Sequence, residues 1–222
     1  MSGRKLKQTI REILETETLH EGVKRVLFFP YSATVGPLIS FFCSKDPLVK
    51  WKAVSVLGSV TAKIAETDPD YARVIMRRLM WSLNDESGGI GWGVPEAMGE
   101  IMALSDLLAG EYQKILVSYI SPGANFIEVP ALQKGALWGI GRLASTRPHY
   151  LNYAIPALPK FFDSEDPAIR GLSAFALLAI DPSMRATIPL NLINDPSPIE
   201  YYLDGVITTC PIKSLLETIP PV

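Results

Sequence analysis

The stretch YAIPALPKFFDSEDPAIRGLSAFALLAI, Tyr153 to Ile180, decides the architecture. It reads as a helix, an Asp-Pro turn and a second helix. Pro167 falls in the first turn of the second helix, where its missing N–H leaves no hydrogen bond unmade. Beyond it, Ile169, Leu172, Ala176, Leu177 and Ile180 follow the spacing of one buried helix face.

The same unit recurs upstream and downstream. In VGPLISFFCSKDPLVKWKAVSVLGSV, Val35 to Val60, superimposing the second helices puts Val49 on Ile169, Val56 on Ala176 and Val60 on Ile180. NDESGGIGWGVPEAMGEI, Asn84 to Ile101, gives a further copy, with Trp92 on Trp51, Met98 on Leu57, Gly99 on Gly58 and Ile101 on Val60. EVPALQKGALWGIGRLA places Gly141 on Gly58, and NDPSPIEYYLDGVI places Ile199 on Val49. The segments YARVIMRRLMWSL, GEYQKILVSYI, YAIPALPKFF and RATIPLNLI are the expected first helices. Helix starts thus recur about every 30 to 42 residues, the range of helical solenoids. The N-terminal pair, KLKQTIREILE and HEGVKRVLFF, is more charged and fits a capping repeat that closes the apolar end.

This pattern resembles HEAT repeats, and more closely the short HEAT-like repeats of bacterial proteins. AIPALPKFFDSEDPAIR carries the family's proline in the first helix, its Asp-Pro turn and its Ile-Arg start of the second helix; the resemblance covers roughly residues 35 to 207. It implies an all-α fold with negligible strand: an α-solenoid, a right-handed superhelix of about five helix pairs plus an N-terminal capping pair. Residues 1–222 are expected to form a single domain, with the cap over 1–30 and the repeats over 31–222. The family spans scaffolds, bilin lyase subunits, DNA glycosylases and metal hydroxylases, so the resemblance is specific for fold and not for function.

Composition narrows the field. The chain has 222 residues, 48% hydrophobic and 20% charged, enough apolar material for a full core. A net charge of −2 argues against a duplex nucleic acid partner, which needs clustered cations. Cys43 and Cys210 lie far apart among apolar residues and read as buried thiols rather than a disulfide framework or zinc site. MSGRKLKQTIREIL is charged where a signal peptide would be apolar, and SAFALLAI is far too short to span a bilayer. A cytoplasmic protein without a membrane partner is expected.

The glycines of Asn84 to Ile101 divide into two groups. Gly88 and Gly89 fall in a widened inter-helix turn, and Gly99, like Gly58 and Gly141, falls where neighbouring helices approach. A phosphate loop would need a preceding strand and a Lys-Ser/Thr, and both are missing. Gly91 and Gly93 flank Trp92 at the expected start of a helix, where each costs about 0.5–1 kcal/mol relative to alanine. Such a local inconsistency is a mark of functional sites.

On the second helices, residues four apart that avoid the core stripe form columns: Trp51, Ser55, Ser59 and Lys63; Trp92, Glu96 and Glu100; Lys134, Trp138 and Arg142. Gly171, Phe175 and Ala179 follow, then Tyr201 and Gly205. Second helices line the concave surface of HEAT-like solenoids, so the resemblance implies that these columns share a groove. Either the tryptophans pack against adjacent helices beside a solvated charged face, or they anchor a partner, as aromatic and arginine residues do at interfaces. Glu100 and Arg142 stand in neighbouring rows and can pair with each other.

Catalytic chemistry is sparse. His20-Glu21 is similar to the His-Glu motifs of metal-dependent HEAT hydroxylases, but those use several such pairs, so this one reads as a helix-terminal surface feature. His149 sits in a turn with no acid nearby, and no nucleophile has a histidine beside it. Glu96 and Glu100 share a helix face without a metal ligand set. No catalytic residue, metal site or cofactor is expected. The expected function is a non-enzymatic protein-binding or scaffold module using the concave groove, with Trp51, Trp92, Glu96, Glu100, Lys134, Trp138 and Arg142 as binding residues. The alternatives are a bilin- or tetrapyrrole-handling lyase-type protein and, more remotely, a HEAT-like DNA glycosylase.

Overall fold

Several α-helices of this chain begin at a side chain that accepts from their first free N–H groups, among them those at Ser2, Thr18, Asp46, Ser105 and Asp166. The computed structural model describes residues 2–83 and 91–219; Gly88 and Gly89 lie outside them. α1 (Gly3–Thr16) begins at Ser2, whose hydroxyl accepts from the Lys5 amide. α2 (Leu19–Leu27) begins in a capping box formed by Thr18 and Glu21. The His20-Glu21 pair is thus helix-end chemistry. α3 (Tyr31–Ser40) contains Pro37 and runs into a 3-10 turn, Phe41–Cys43. Next come α4 (Pro47–Thr67), α5 (Pro69–Leu83), α6 (Val94–Leu104), α7 (Asp106–Ser118), α8 (Pro130–Ala144) and α9 (Pro167–Ile180). Asp46 caps α4 by accepting from the Leu48 and Val49 amides, and Asp166 caps α9 through the Ala168 amide. Each Asp-Pro is therefore an N-cap followed by the one residue that gives up nothing at the next position.

The expected second helices α4, α6, α8 and α9 pack one on the next, while α3, α5 and α7 lie against them. One apolar core runs through this row from Leu6 to Leu216. The tightest crossing is between α6 and α8, where a Cβ on Gly99 would stand 2.3 Å from the Gly139 Cα. Gly99→Ala is expected to cost near the top of the overpacking range, about 3 kcal/mol. A denaturant midpoint that falls with an unchanged slope would show this; an unchanged midpoint would contradict the close crossing.

Two expected repeats depart from the helical template. YAIPALPKFF forms 3-10 turns over Asn152–Ala157 and Pro159–Phe161 instead of a first helix. Pro156 and Pro159, three residues apart, remove the N–H groups an α-helical ladder would use. RATIPLNLI likewise splits around Pro189 into a 3-10 segment, Pro182–Thr187, and the short α10 (Leu190–Ile193).

The last second helix is absent altogether. NDPSPIEYYLDGVI contributes β1 (Pro198–Leu203), which pairs antiparallel with β2 (Val206–Pro211) before α11 (Ile212–Glu217) closes the described chain. Asp204 (φ 48) and Gly205 (φ 87) make the two-residue loop, with Leu203 opposite Val206. Two positive φ angles are what a type I′ hairpin turn demands, and Asp-Gly supplies them. The chain is mostly helical, as expected, but the expectation of negligible strand fails at this hairpin. The thiols also differ: Cys43 is exposed at the end of its 3-10 turn and Cys210 is half-buried on the hairpin. No helix among the described residues is long and apolar enough to cross a membrane.

Candidate binding groove

The hairpin lies over the face that α4, α6, α8 and α9 present together, and its aromatic residues organise that face. Tyr202, 2% exposed, stacks on Trp51 with ring centroids 4.8 Å apart and planes 7° from parallel. Trp138 lies 4.7 Å from Trp51 in a tilted arrangement, so the indoles of α4 and α8 meet across α6. The Trp138 Nε1–H donates to the Tyr202 carbonyl (3.1 Å), and the Tyr202 hydroxyl shares a hydrogen bond with Ser55 Oγ (2.9 Å). One residue back, Tyr201 tilts against Phe175 of α9 at 5.4 Å. Ile199 occupies the space beside Gly171, and the tip at Gly205 reaches Leu19 at the start of α2.

The charged columns are closed by internal pairs. Lys50 Nζ donates to Glu96 Oε1 at 3.0 Å and lies 5.4 Å over the Trp51 ring. Arg142 Nε donates to Glu100 Oε2 at 2.6 Å. Burial works against the Arg142 charge, but the hydrogen bond and charge of Glu100 outweigh it and hold the guanidinium pKa above its ordinary value. Lys134 pairs with Asp166 at 3.0 Å, linking α8 to the cap of α9. Burial pushes the Asp166 carboxyl upward, yet Lys134 and the Ala168 amide leave it below the usual carboxylate range.

These contacts correct the picture of an exposed aromatic column. Trp138 is 4% exposed, Glu96 3%, and Glu100 is buried as well. Glu96 Oε2 has no hydrogen-bond donor among the described residues and stands where a Cβ on residue 135 would lie, which is why Gly135 fits there. Trp92 is not in the helical column: it sits half-buried in the turn before α6. Gly91 and Gly93 also precede the helix, so the helix-interior penalty does not apply to them. Gly93 is the N-cap residue at φ 74, and Gly91 lies hard against Leu83. The apparent local cost around Trp92 is a backbone requirement of the turn.

A cleft of about 380 Å³ stays open beside the start of β1. Trp51, Glu96, Lys134 and Trp138 line it, joined by two residues the columns missed, Lys50 and Glu200. Lys50 adjoins Trp51 and is reachable by the helical pattern; Glu200 is not, because its segment is a strand. The first turns of α8 and α9, at Ala131 and Ala168, border the same opening. Among the described residues no group of three or more histidines, cysteines, aspartates or glutamates could hold a metal ion.

The buried phenols give this arrangement a pH signature. Burial pushes Tyr201 and Tyr202 up to about 12. The unfolded value is about 10, so the folded chain holds these protons more tightly. Their stabilising contribution is whole below about pH 10 and is lost as pH rises through about 12. Phenolate absorbance should show a late-titrating class in the folded chain, reduced in Tyr202→Phe. Titration of every tyrosine near pH 10 before unfolding would contradict the buried placement.

No protein-family model and no curated protein matches the chain. The crystal structure of an engineered protein from the Northeast Structural Genomics Consortium is similar in fold, with a TM-score of 0.51. That match covers 82% of this chain and 75% of the other at 18% identity, a likeness of fold alone.

Proposed function

We propose that the chain is a HEAT-like α-solenoid acting as a non-enzymatic protein-binding module, with a partner segment held on the concave side of the second helices. The observation that carries this reading is the convergence of Trp51, Glu96, Lys134 and Trp138, from three helices distant in sequence, on one open cleft. Aromatic walls beside the partly exposed Lys50 and Lys134 are the composition of an interface anchor. A photo-crosslinking residue at Ala131, on the cleft border, tests it in the native cell. Adducts with a partner protein are expected from residue 131 and not from residue 78 on the outer surface of α5. Adducts from residue 78 alone, or from neither position, would overturn the reading.

One observation favours a second reading, a chromophore-handling protein. Phe175, Leu178, Tyr201 and Leu215 line an apolar hollow of about 670 Å³ that also takes in Cys210. Burial raises the Cys210 pKa, so the thiol is a poor nucleophile and the hollow would hold its ligand without a covalent bond. Visible absorbance of protein purified from its native source tests this reading, and a colourless preparation contradicts it.

A further inference from the structure

The hairpin is joined to the helical body very differently at its two ends. At the base, Arg170 Nε donates to Asp195 (2.8 Å), Arg170 Nη2 donates to Ser197 Oγ (2.9 Å), and its Nη1 donates to the carbonyls of Ser164 and Glu165. The Ile212 amide donates to the Ser197 carbonyl and the Lys213 amide to the Asp195 carbonyl. Ile212, Leu215 and Leu216 are buried, so both chains entering and leaving the hairpin are pinned. Beyond that base, β2 is largely exposed, with Val206 at 60%. The seat itself consists of Ile199, Tyr201 and Tyr202, one hydroxyl pair, one indole N–H on a strand carbonyl and the contact of the Gly205 tip with Leu19. A two-stranded hairpin has little stability of its own.

We propose that the hairpin is a built-in occupant of a strand-binding surface, and that the partner of this module is an extended segment that takes its place. The inference rests on the concave-side reading above and specifies the partner's chemistry. The chain's own strand displays the rule of recognition. An aromatic residue stacks on Trp51 beside Trp138, its hydroxyl meets Ser55, its backbone carbonyl accepts from Trp138 Nε1, and an aliphatic residue three positions earlier rests on Gly171. A segment of the pattern Ile-x-x-Tyr in extended form satisfies all four contacts. Because the base is held by Arg170 and by the buried residues of α11, the hairpin stays tethered to the helices when a partner segment takes its seat.

The test uses the full chain and a backbone-cyclised peptide of residues 197–212, a hairpin fixed in its bound shape so that ordering costs little. Gly205→Val loosens the chain's own hairpin at its tip, where φ is 87 and a Cβ would stand 2.8 Å from that of Leu19, and leaves Trp51, Trp138 and Ser55 untouched. The labelled peptide should bind the Gly205→Val chain at least about tenfold more tightly than the unaltered chain, whose surface is occupied. A cyclic peptide carrying Tyr202→Ala should lose that binding. Equal binding to both chains, or binding to neither, would overturn the proposal. Hydrogen exchange on the unaltered chain provides a second readout that needs no variant. Amides of β1 and β2 should exchange at least about tenfold faster than those of α6 and α8; equal protection would make the hairpin a permanent part of the core and overturn the proposal. Either failure leaves the cross-linking result at Ala131 unchanged, so the two readings fail separately.

Discussion

Trp138→Ala is expected to lower stability by about 3–5 kcal/mol, the cost of deleting a large buried aromatic side chain. For a chain of this size that is a melting-temperature drop of roughly 10 °C. The indole is 4% exposed, tilts against Trp51 and donates its N–H to the Tyr202 carbonyl. Its removal opens a cavity between α8 and β1 and strands a strand carbonyl without its donor. Trp138→Phe should recover part of the packing but not the hydrogen bond. A thermal melt measures both. A shift of only a degree or two for Trp138→Ala would mean that the indole is solvent-facing and the hairpin does not cover it.

The second large effect concerns Glu100 and Arg142. Their side chains are 8% and 17% exposed and joined at 2.6 Å. Removing one member of such a pair leaves a charge with no partner in a poorly solvated place, at a cost of about 3–5 kcal/mol. Arg142→Ala should therefore destabilise the chain by about 3 kcal/mol, near the low end because the guanidinium keeps some solvent contact. The double variant Glu100→Gln with Arg142→Met should recover most of that loss, since neither change leaves a buried charge. Denaturant melts of Glu100→Gln, Arg142→Met and the double variant form a cycle that measures the coupling. Additive losses would show that the pair is not coupled. Glu100 also fills the space beside Gly58, where a Cβ would come 2.5 Å from its Cγ, so Gln is the appropriate replacement.

The helical rows were readable because their signals are local. Asp46-Pro47 and Asp166-Pro167 state a cap and a first helical residue within two positions, and the core stripe of α9 repeats without a break. The stretch YYLDGVITT was equally local and carried a different message. It alternates around Asp-Gly, the strongest short signal for a hairpin. The expected repeat places a helix there, and that regularity hides the period-2 pattern. The same regularity hides the helix-breaking pair Pro156 and Pro159.

The site was legible to a smaller degree. Columns four residues apart brought Trp51, Glu96, Lys134 and Trp138 onto one face, and the pairing of Glu100 with Arg142 follows from opposite charges in adjacent rows. What covers a face is not written in that face. Trp51 and Trp138 look like anchors for a foreign partner until Tyr202, far along the chain, is found stacked on Trp51 beside Trp138. Trp92 falls outside the column because Gly93, in a left-handed conformation, caps the helix one residue after it.

The central claim is that the C-terminal hairpin lies on the second-helix face with Tyr202 stacked on Trp51. Proton-proton Overhauser contacts in a sample with selectively labelled tyrosine and tryptophan test it most directly. Ring centroids 4.8 Å apart and nearly parallel predict strong cross-peaks between Tyr202 and the Trp51 indole, with weaker ones to Trp138, 6.3 Å away. The Trp138 indole N–H, held by the Tyr202 carbonyl, should be protected from solvent exchange. Absence of both cross-peaks, together with a Trp138 N–H that exchanges freely with water, would contradict the account.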